Sequence, residues 1–219
     1  MHVLRECLAA NRAWARAMRE RSPGFFESLR DQQHPDLLWI GCSDSRLTPT
    51  HMIGRRPGDL FVHRNVANLV TPGDPSALAV IEYALVTLGV RHVLVVGHYG
   101  CGGVRAVLRG RPRGHVGAWL RPLRALAARH RHVLDALPAP EREDRLCELN
   151  VAAQVANVCA APAVRAAHMP VWVHGWIYSV ADGLLRDLGL SIEGGAAAGA
   201  RHRSWEDDDA EEGAPRPTP

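Results

Sequence analysis

Two short apolar runs, each stopped by a glycine, set the plan of this chain. Leu37-Leu38-Trp39-Ile40 ends at Gly41 and delivers Cys42-Ser43-Asp44-Ser45-Arg46. His92 to Val96 ends at Gly97 and delivers His98-Tyr99-Gly100-Cys101-Gly102-Gly103. Apolar runs of this length, without alternation, fit strands buried on both faces of a parallel sheet. In open α/β sheets, functional groups gather beyond the carboxyl ends of the strands, where both clusters fall.

The remaining segments extend that reading. Residues 2 to about 20 alternate with helical period, with Leu4, Leu8, Trp14 and Met18 as large apolar positions, and Ser22-Pro23-Gly24 breaks the helix. Leu60 to His63 reads as a short strand. Asp74-Pro75 offers an N-cap followed by a proline at the first helical position, and Gly89 a C-cap. A helical region from 116 to 136 restarts at Pro122. The segment from Pro140 to about 160 presents Leu146, Leu149, Ala153, Ala156 and Ala160 three and four apart, as one helix face. Pro170 to His174 reads as a strand, and 183 to 190 as the segment leading away from it. The fold class expected is α/β: a central, mostly parallel sheet flanked by helices, with an N-terminal helical arm. The boundaries are 1–194 for the folded domain and 195–219 for a disordered tail rich in Gly, Ala, acids and Pro.

Composition excludes several classes. At 219 residues, with 47% hydrophobic and 22% charged content, the chain suffices for one domain with its own core. No apolar stretch approaches the ~20 residues that span a bilayer, so no membrane association is expected. Arg5, Glu6, Asn11 and Arg12 stand where a secretion signal would be apolar. Five cysteines, an odd number, do not read as a disulfide framework. Cytoplasmic residence follows as an expectation. The tail carries six acids and three arginines, a net −3 against +3 for the whole chain, which leaves +6 spread over residues 1 to 194. That diffuse charge carries no recognition motif, so no nucleic-acid partner is expected.

Cys42, His98 and Cys101 form a Cys2His set, a zinc ligand combination that leaves one coordination position for chemistry. Cys7, Cys147 and Cys159 lack a His or second Cys at ligand spacing and read as small hydrophobes. Two thiolates and a neutral imidazole leave a zinc ion formally uncharged. A group that holds and orients the attacking water is therefore needed nearby. Asp44 is the acceptor at hand, and Arg46 can pin it with paired charge-assisted hydrogen bonds.

Cys42 to Arg46 followed by Gly97 to Gly103 resembles the β-class carbonic anhydrases. So do Gly58 to Asn68, Leu146 to Val151, and His174-Gly175-Trp176 with Leu185 to Leu188. The similarity covers roughly residues 2 to 192. It implies reversible hydration of CO2 to bicarbonate and a proton, one zinc ion per chain, and Asp44–Arg46 as a catalytic dyad. It further implies that Asp44 can move onto the metal in a closed state. Phe61, Val66, Tyr83 and Gly102 become substrate-pocket residues, with Gln33 donating from a neighbouring subunit. The N-terminal arm packs across that partner in a homodimer or homotetramer. Trp39, Arg64 and Tyr178 match a bicarbonate pocket through which some members are inhibited, so regulation by pH and bicarbonate is implied as well. The chain departs from the family pattern after Arg46, with Leu47-Thr48-Pro49-Thr50 beside the dyad. Two other readings stay open at this point: a hydrolase of carbonyl sulfide or carbon disulfide on the same scaffold, and a non-catalytic zinc module.

Overall fold

The computed structural model describes residues 2–31, 33–110 and 112–195, and a boundary at His34/Pro35 separates two compact units. The first holds α1 (His2–Arg21) and α2 (Glu27–Arg30), joined by a turn whose Phe26 meets Trp14 of α1 edge to face at 5.6 Å. Nothing on α1 is buried within this chain, and Leu4, Leu8 and Trp14 stand exposed. Cys7 is exposed too, which corrects its reading as a packed hydrophobe, whereas Cys147 is buried and Cys159 half-buried.

The second unit begins with β1 (Leu37–Cys42), α3 (Pro49–Met52) and β2 (Leu60–Asn65). It continues through α4 (Pro75–Glu82), β3 (His92–His98) and α5 (Gly102–Arg109). Three short helices follow: α6 (Gly114–Trp119), α7 (Arg121–Arg129) and α8 (Arg131–Leu134). The long α9 (Ala139–Cys159), α10 (Pro162–Arg165), β4 (Val171–Tyr178) and β5 (Leu185–Gly194) complete it. The sheet order is β2-β1-β3-β4-β5, parallel except for the last pair.

The two apolar runs become the inner strands β1 and β3, which pair directly and are buried along nearly their whole length. Both end on the same side of the sheet, so Cys42 and His98 reach the same edge. The main core includes Leu38, Ile40, Val93, Val95 and Ile177, and a smaller cluster of Trp39, Leu94 and Val96 lies among other strand residues. Asp74 caps α4 as expected, its carboxylate accepting from the Ser76 N–H at 3.0 Å.

Two expectations need correction. Residues 183 to 190 do not lead away: β5 turns back antiparallel against β4, with a bulge at Gly175/Trp176. The reversal is made over residues 179–184, where Gly183 takes φ +75° and the Asp182 carboxylate accepts from the Leu184 N–H at 3.0 Å. The spacing of the leucines did not distinguish the two courses. The inward face of α9 is also different. It is built from Leu146, Cys147, Asn150, Val151, Gln154, Val155 and Val158, while Ala156 and Ala160 are exposed. An apolar stripe could not find that face, because two of its buried members are amides. The acidic tail from residue 196 lies outside the described residues.

Candidate active site

β1 delivers Cys42 and β3 delivers His98, with Cys101 three residues further on at the start of α5. The Sγ atoms of Cys42 and Cys101 lie 4.0 Å apart, and the three potential ligand atoms fall within 4.8 Å of one another. All three residues are buried. His98 Nδ1 lies 3.0 Å from the carbonyl of Tyr99, which fixes the tautomer with Nδ1 protonated and Nε2 free. That Nε2 is buried without a hydrogen-bond partner. A buried unpaired nitrogen facing two sulfurs is costly unless something binds it.

The sulfurs differ in charge. Hydrogen bonding from Cys101 is the main cause that lowers Cys42 to about 4, against a burial that pushes it up, and the same contact pushes Cys101 well above its ordinary value. The Cys42 sulfur also accepts from the Ala67 N–H at 3.4 Å.

Asp44 does not join the trio in this structure. Its Oδ1 accepts from Arg46 Nε at 2.8 Å and its Oδ2 from Arg46 Nη2 at 2.7 Å, a bidentate pair. The Arg46 main-chain N–H adds a third bond, to Oδ1, at 3.0 Å. Chiefly through the Arg46 side chain, the Asp44 carboxyl is held well below the usual carboxylate range. Asp44 Oδ2 is nevertheless only 3.8 Å from His98 Nε2. Arg46 also donates to the carbonyl of Gly100 at 3.3 Å, tying the two loops together.

Arg64 sits beside Gly41 in the β1–β2 register and donates to the carbonyls of Cys42 and Asp44 at 2.8 and 2.6 Å. Trp39 and Tyr178 lie on the same face of the sheet by register. The Trp39 indole N–H is fully buried without a partner, and a Cβ at Gly41 would collide with it. Trp39 and Arg64 thus flank Gly41 with an unpaired N–H and a guanidinium, while Tyr178 brings a half-buried side chain to the same face two strands away.

The expected substrate residues divide. Val66 borders the site: its Cγ1 would lie 3.3 Å from a Cβ at Gly103, and its neighbour Ala67 bonds Cys42. At Gly102 a Cβ would meet nothing within 4 Å. Phe61 and Tyr83 stack on each other at 5.7 Å, but Phe61 pairs with Leu38. That position is four strand residues back from Cys42, roughly 13 Å at ~3.3 Å per residue. Gln33 is exposed in the N-terminal unit.

The sequence reading missed what holds the 65–70 loop. Ala67 and Asn68 adopt φ +66° and +47°, a left-handed conformation costing a non-glycine residue on the order of 1–3 kcal/mol. Asn65 clamps the loop by accepting from the Leu69 N–H and donating to its carbonyl, both at 2.7 Å. From α9, Asn150 donates to the Ala67 carbonyl at 2.9 Å, and Gln154 accepts from the Val70 N–H at 2.9 Å. The available signal was Asn150, Gln154 and Asn157, three amides at helical spacing on one helix.

A family model described as carbonic anhydrase matches residues 37–185. A carbonic anhydrase of Emericella nidulans is 41% identical over 190 residues, 84% of this chain and 83% of that one. A tetrameric β-carbonic anhydrase of Sordaria macrospora superposes with TM-score 0.84 at 39% identity, covering 87% of this chain and 99% of that one. The Coccomyxa β-carbonic anhydrase solved with acetazolamide gives TM-score 0.84 at 35% identity over 95% and 98% of the two chains. Two parallel strands that bring two cysteines and an imidazole to one sheet edge, in a chain this similar throughout, mark it as an enzyme belonging to the β-carbonic anhydrases.

Proposed function

We propose that the chain hydrates CO2 reversibly to bicarbonate and a proton, using one zinc ion held by Cys42, His98 and Cys101. The observation that carries this reading is the unpaired His98 Nε2 facing two sulfurs 4.0 Å apart. Two thiolates on a tetrahedral zinc, each at ~2.3 Å, stand about 3.8 Å apart, so the residues fit the ion. When bound, zinc supplies Lewis acidity that makes water a nucleophile near neutral pH.

The protein's own groups supply the rest. Asp44, kept ionised by Arg46, has a lone pair left over to accept a hydrogen bond from the attacking water and so aim its oxygen at CO2. Val66 and the open face at Gly102 would border the space for a small apolar substrate. Phe61, Tyr83 and Gln33 would complete a pocket in a second copy, consistent with the exposed apolar side chains of α1 and the tetrameric neighbour. We accordingly read the protein as a homo-oligomer, a dimer or tetramer, that works in the cytoplasm. Among the described residues no helix is long and apolar enough to cross a membrane.

The same reading includes regulation. Bicarbonate bound between the Trp39 N–H, Arg64 and Tyr178 would compete for the guanidinium that holds the Asp44 carbonyl. It would favour a closed state with Asp44 on the metal, as far as its affinities for the two states differ. A non-catalytic zinc module is disfavoured because Asp44 is engaged by Arg46, leaving three ligands where structural sites use four. Stopped-flow assays of zinc-loaded protein with CO2, carbonyl sulfide and carbon disulfide test the proposal. Hydration of CO2 far above the other two is expected. Turnover of carbonyl sulfide or carbon disulfide with none of CO2 would replace the substrate, and turnover of none would remove the activity.

A further inference from the structure

Cys42 accepts a hydrogen bond from a residue whose backbone is strained. The Ala67 N–H reaches Sγ at 3.4 Å from φ +66°, in a turn where the next residue, Asn68, is also left-handed. Neither is a glycine, so the conformation has to be held from outside.

What holds it is a line of amides on α9. Asn150 is 1% exposed and donates to the Ala67 carbonyl, on the peptide that follows the one bonded to Cys42. Gln154, 3% exposed, donates to Asn150 Oδ1 at 3.0 Å and accepts from Val70 N–H and Asn157 Nδ2 at 2.9 and 3.0 Å. Asn157 closes the line by donating to the Val70 carbonyl at 2.8 Å. Buried amides are expensive unless paired, and these are paired with the loop that carries the N–H. On the loop's other side Gly103 leaves room: a Cβ there would lie 2.9 Å from the Ala67 Cβ.

We infer that Asn150, backed by Gln154, is a positioning residue for the metal centre, holding the Ala67 N–H on the Cys42 sulfur and so setting how strongly that thiolate binds zinc. The inference rests on zinc ligation by Cys42. An N–H aimed at a thiolate fixes where the sulfur sits and draws electron density from it, so removing it leaves a less well placed, more easily oxidised sulfur. Groups that orient ligands in this way typically change metal affinity about 10–100-fold when removed.

The test compares Asn150→Leu, Gln154→Met and Val155→Ala in the full chain. Zinc affinity is read by competition with a chromophoric chelator, and thiolate-to-metal charge transfer in the cobalt(II)-loaded protein. Asn150→Leu should weaken zinc binding by about 10–100-fold and move the charge-transfer band to longer wavelength. Gln154→Met should move both in the same direction by less, and it carries the test if Asn150→Leu does not fold. Val155→Ala, a core truncation on the same helix, should lower the melting temperature and leave both readings alone. Wild-type affinity and band position in the folded amide variants would overturn the inference, as would equal changes in Val155→Ala. A Cys42→Ser variant that binds zinc as tightly as the wild type would instead overturn the ligand assignment beneath it.

Discussion

Arg64 holds the main-chain oxygen of Asp44 at 2.6 Å, which joins the proposed anion pocket to the proposed catalytic dyad through one guanidinium. The same side chain holds the carbonyl of the metal-ligand candidate Cys42 at 2.8 Å. An anion recruited to Arg64 therefore acts on the loop that positions both groups. Arg64→Ala should abolish inhibition by bicarbonate beyond simple product competition. It should also weaken zinc binding modestly, within about tenfold, because two loop carbonyls lose their partner. Initial rates against bicarbonate, with zinc affinity measured in parallel, check both. Unchanged non-competitive inhibition would separate Arg64 from regulation.

Arg46→Ala removes the bidentate partner of Asp44. Zinc should stay bound, while CO2 hydration falls by about 10²–10³, the range typical of losing one preorganised hydrogen-bonding partner. Wild-type rates at every pH would take the pair out of the mechanism.

The same pair has a pH signature in stability. The Asp44 carboxyl lies below its unfolded value of about 3.9, with Arg46 as the first cause. A depressed carboxyl stabilises the fold fully above the unfolded value, and that contribution is lost as pH falls towards the folded one. The destabilisation by Arg46→Ala should thus be constant from neutral pH to about 5 and shrink below about 4. Urea melts of both metal-free proteins at pH 7 and at pH 3.5 provide the check. A difference that does not shrink at the lower pH would contradict it.

Leu8→Glu and Trp14→Glu place charges on the exposed apolar side of α1. Each should shift the protein to a smaller species by light scattering at micromolar concentration and cut activity, because Gln33, Phe61 and Tyr83 are read as completing another copy's pocket. A wild-type chain that is monomeric and fully active would refute the shared pocket.

Much of the site was legible because its chemistry sits on consecutive residues beyond two unambiguous strands. Cys42, Asp44 and Arg46 occupy one loop, and His98 and Cys101 the next, so locating the strand ends located the site. Long-range polar pairing left a weaker trace. Asn150 and Gln154 are on the buried face of α9 because the loop at Ala67 and Val70 needs their amides, 83 and 84 positions away in sequence. An apolar period passes over such residues, and it phased the helix wrongly for that reason. β5 was misread because the tight connection over residues 179–184, not side-chain spacing, decided its direction. The distance between Phe61 and Cys42 follows from strand register, which a single sequence leaves open.

The most direct measurement of the central claim is a titration of metal-free protein with zinc, following CO2 hydration by stopped flow beside the same titration of Cys101→Ser. Activity should rise linearly and break at about one zinc per chain, while Cys101→Ser, offering a poor hydroxyl ligand, should bind little zinc and stay inactive. Full hydration activity without zinc, or a Cys101→Ser protein that binds zinc and turns over like the wild type, would contradict catalysis at Cys42, His98 and Cys101.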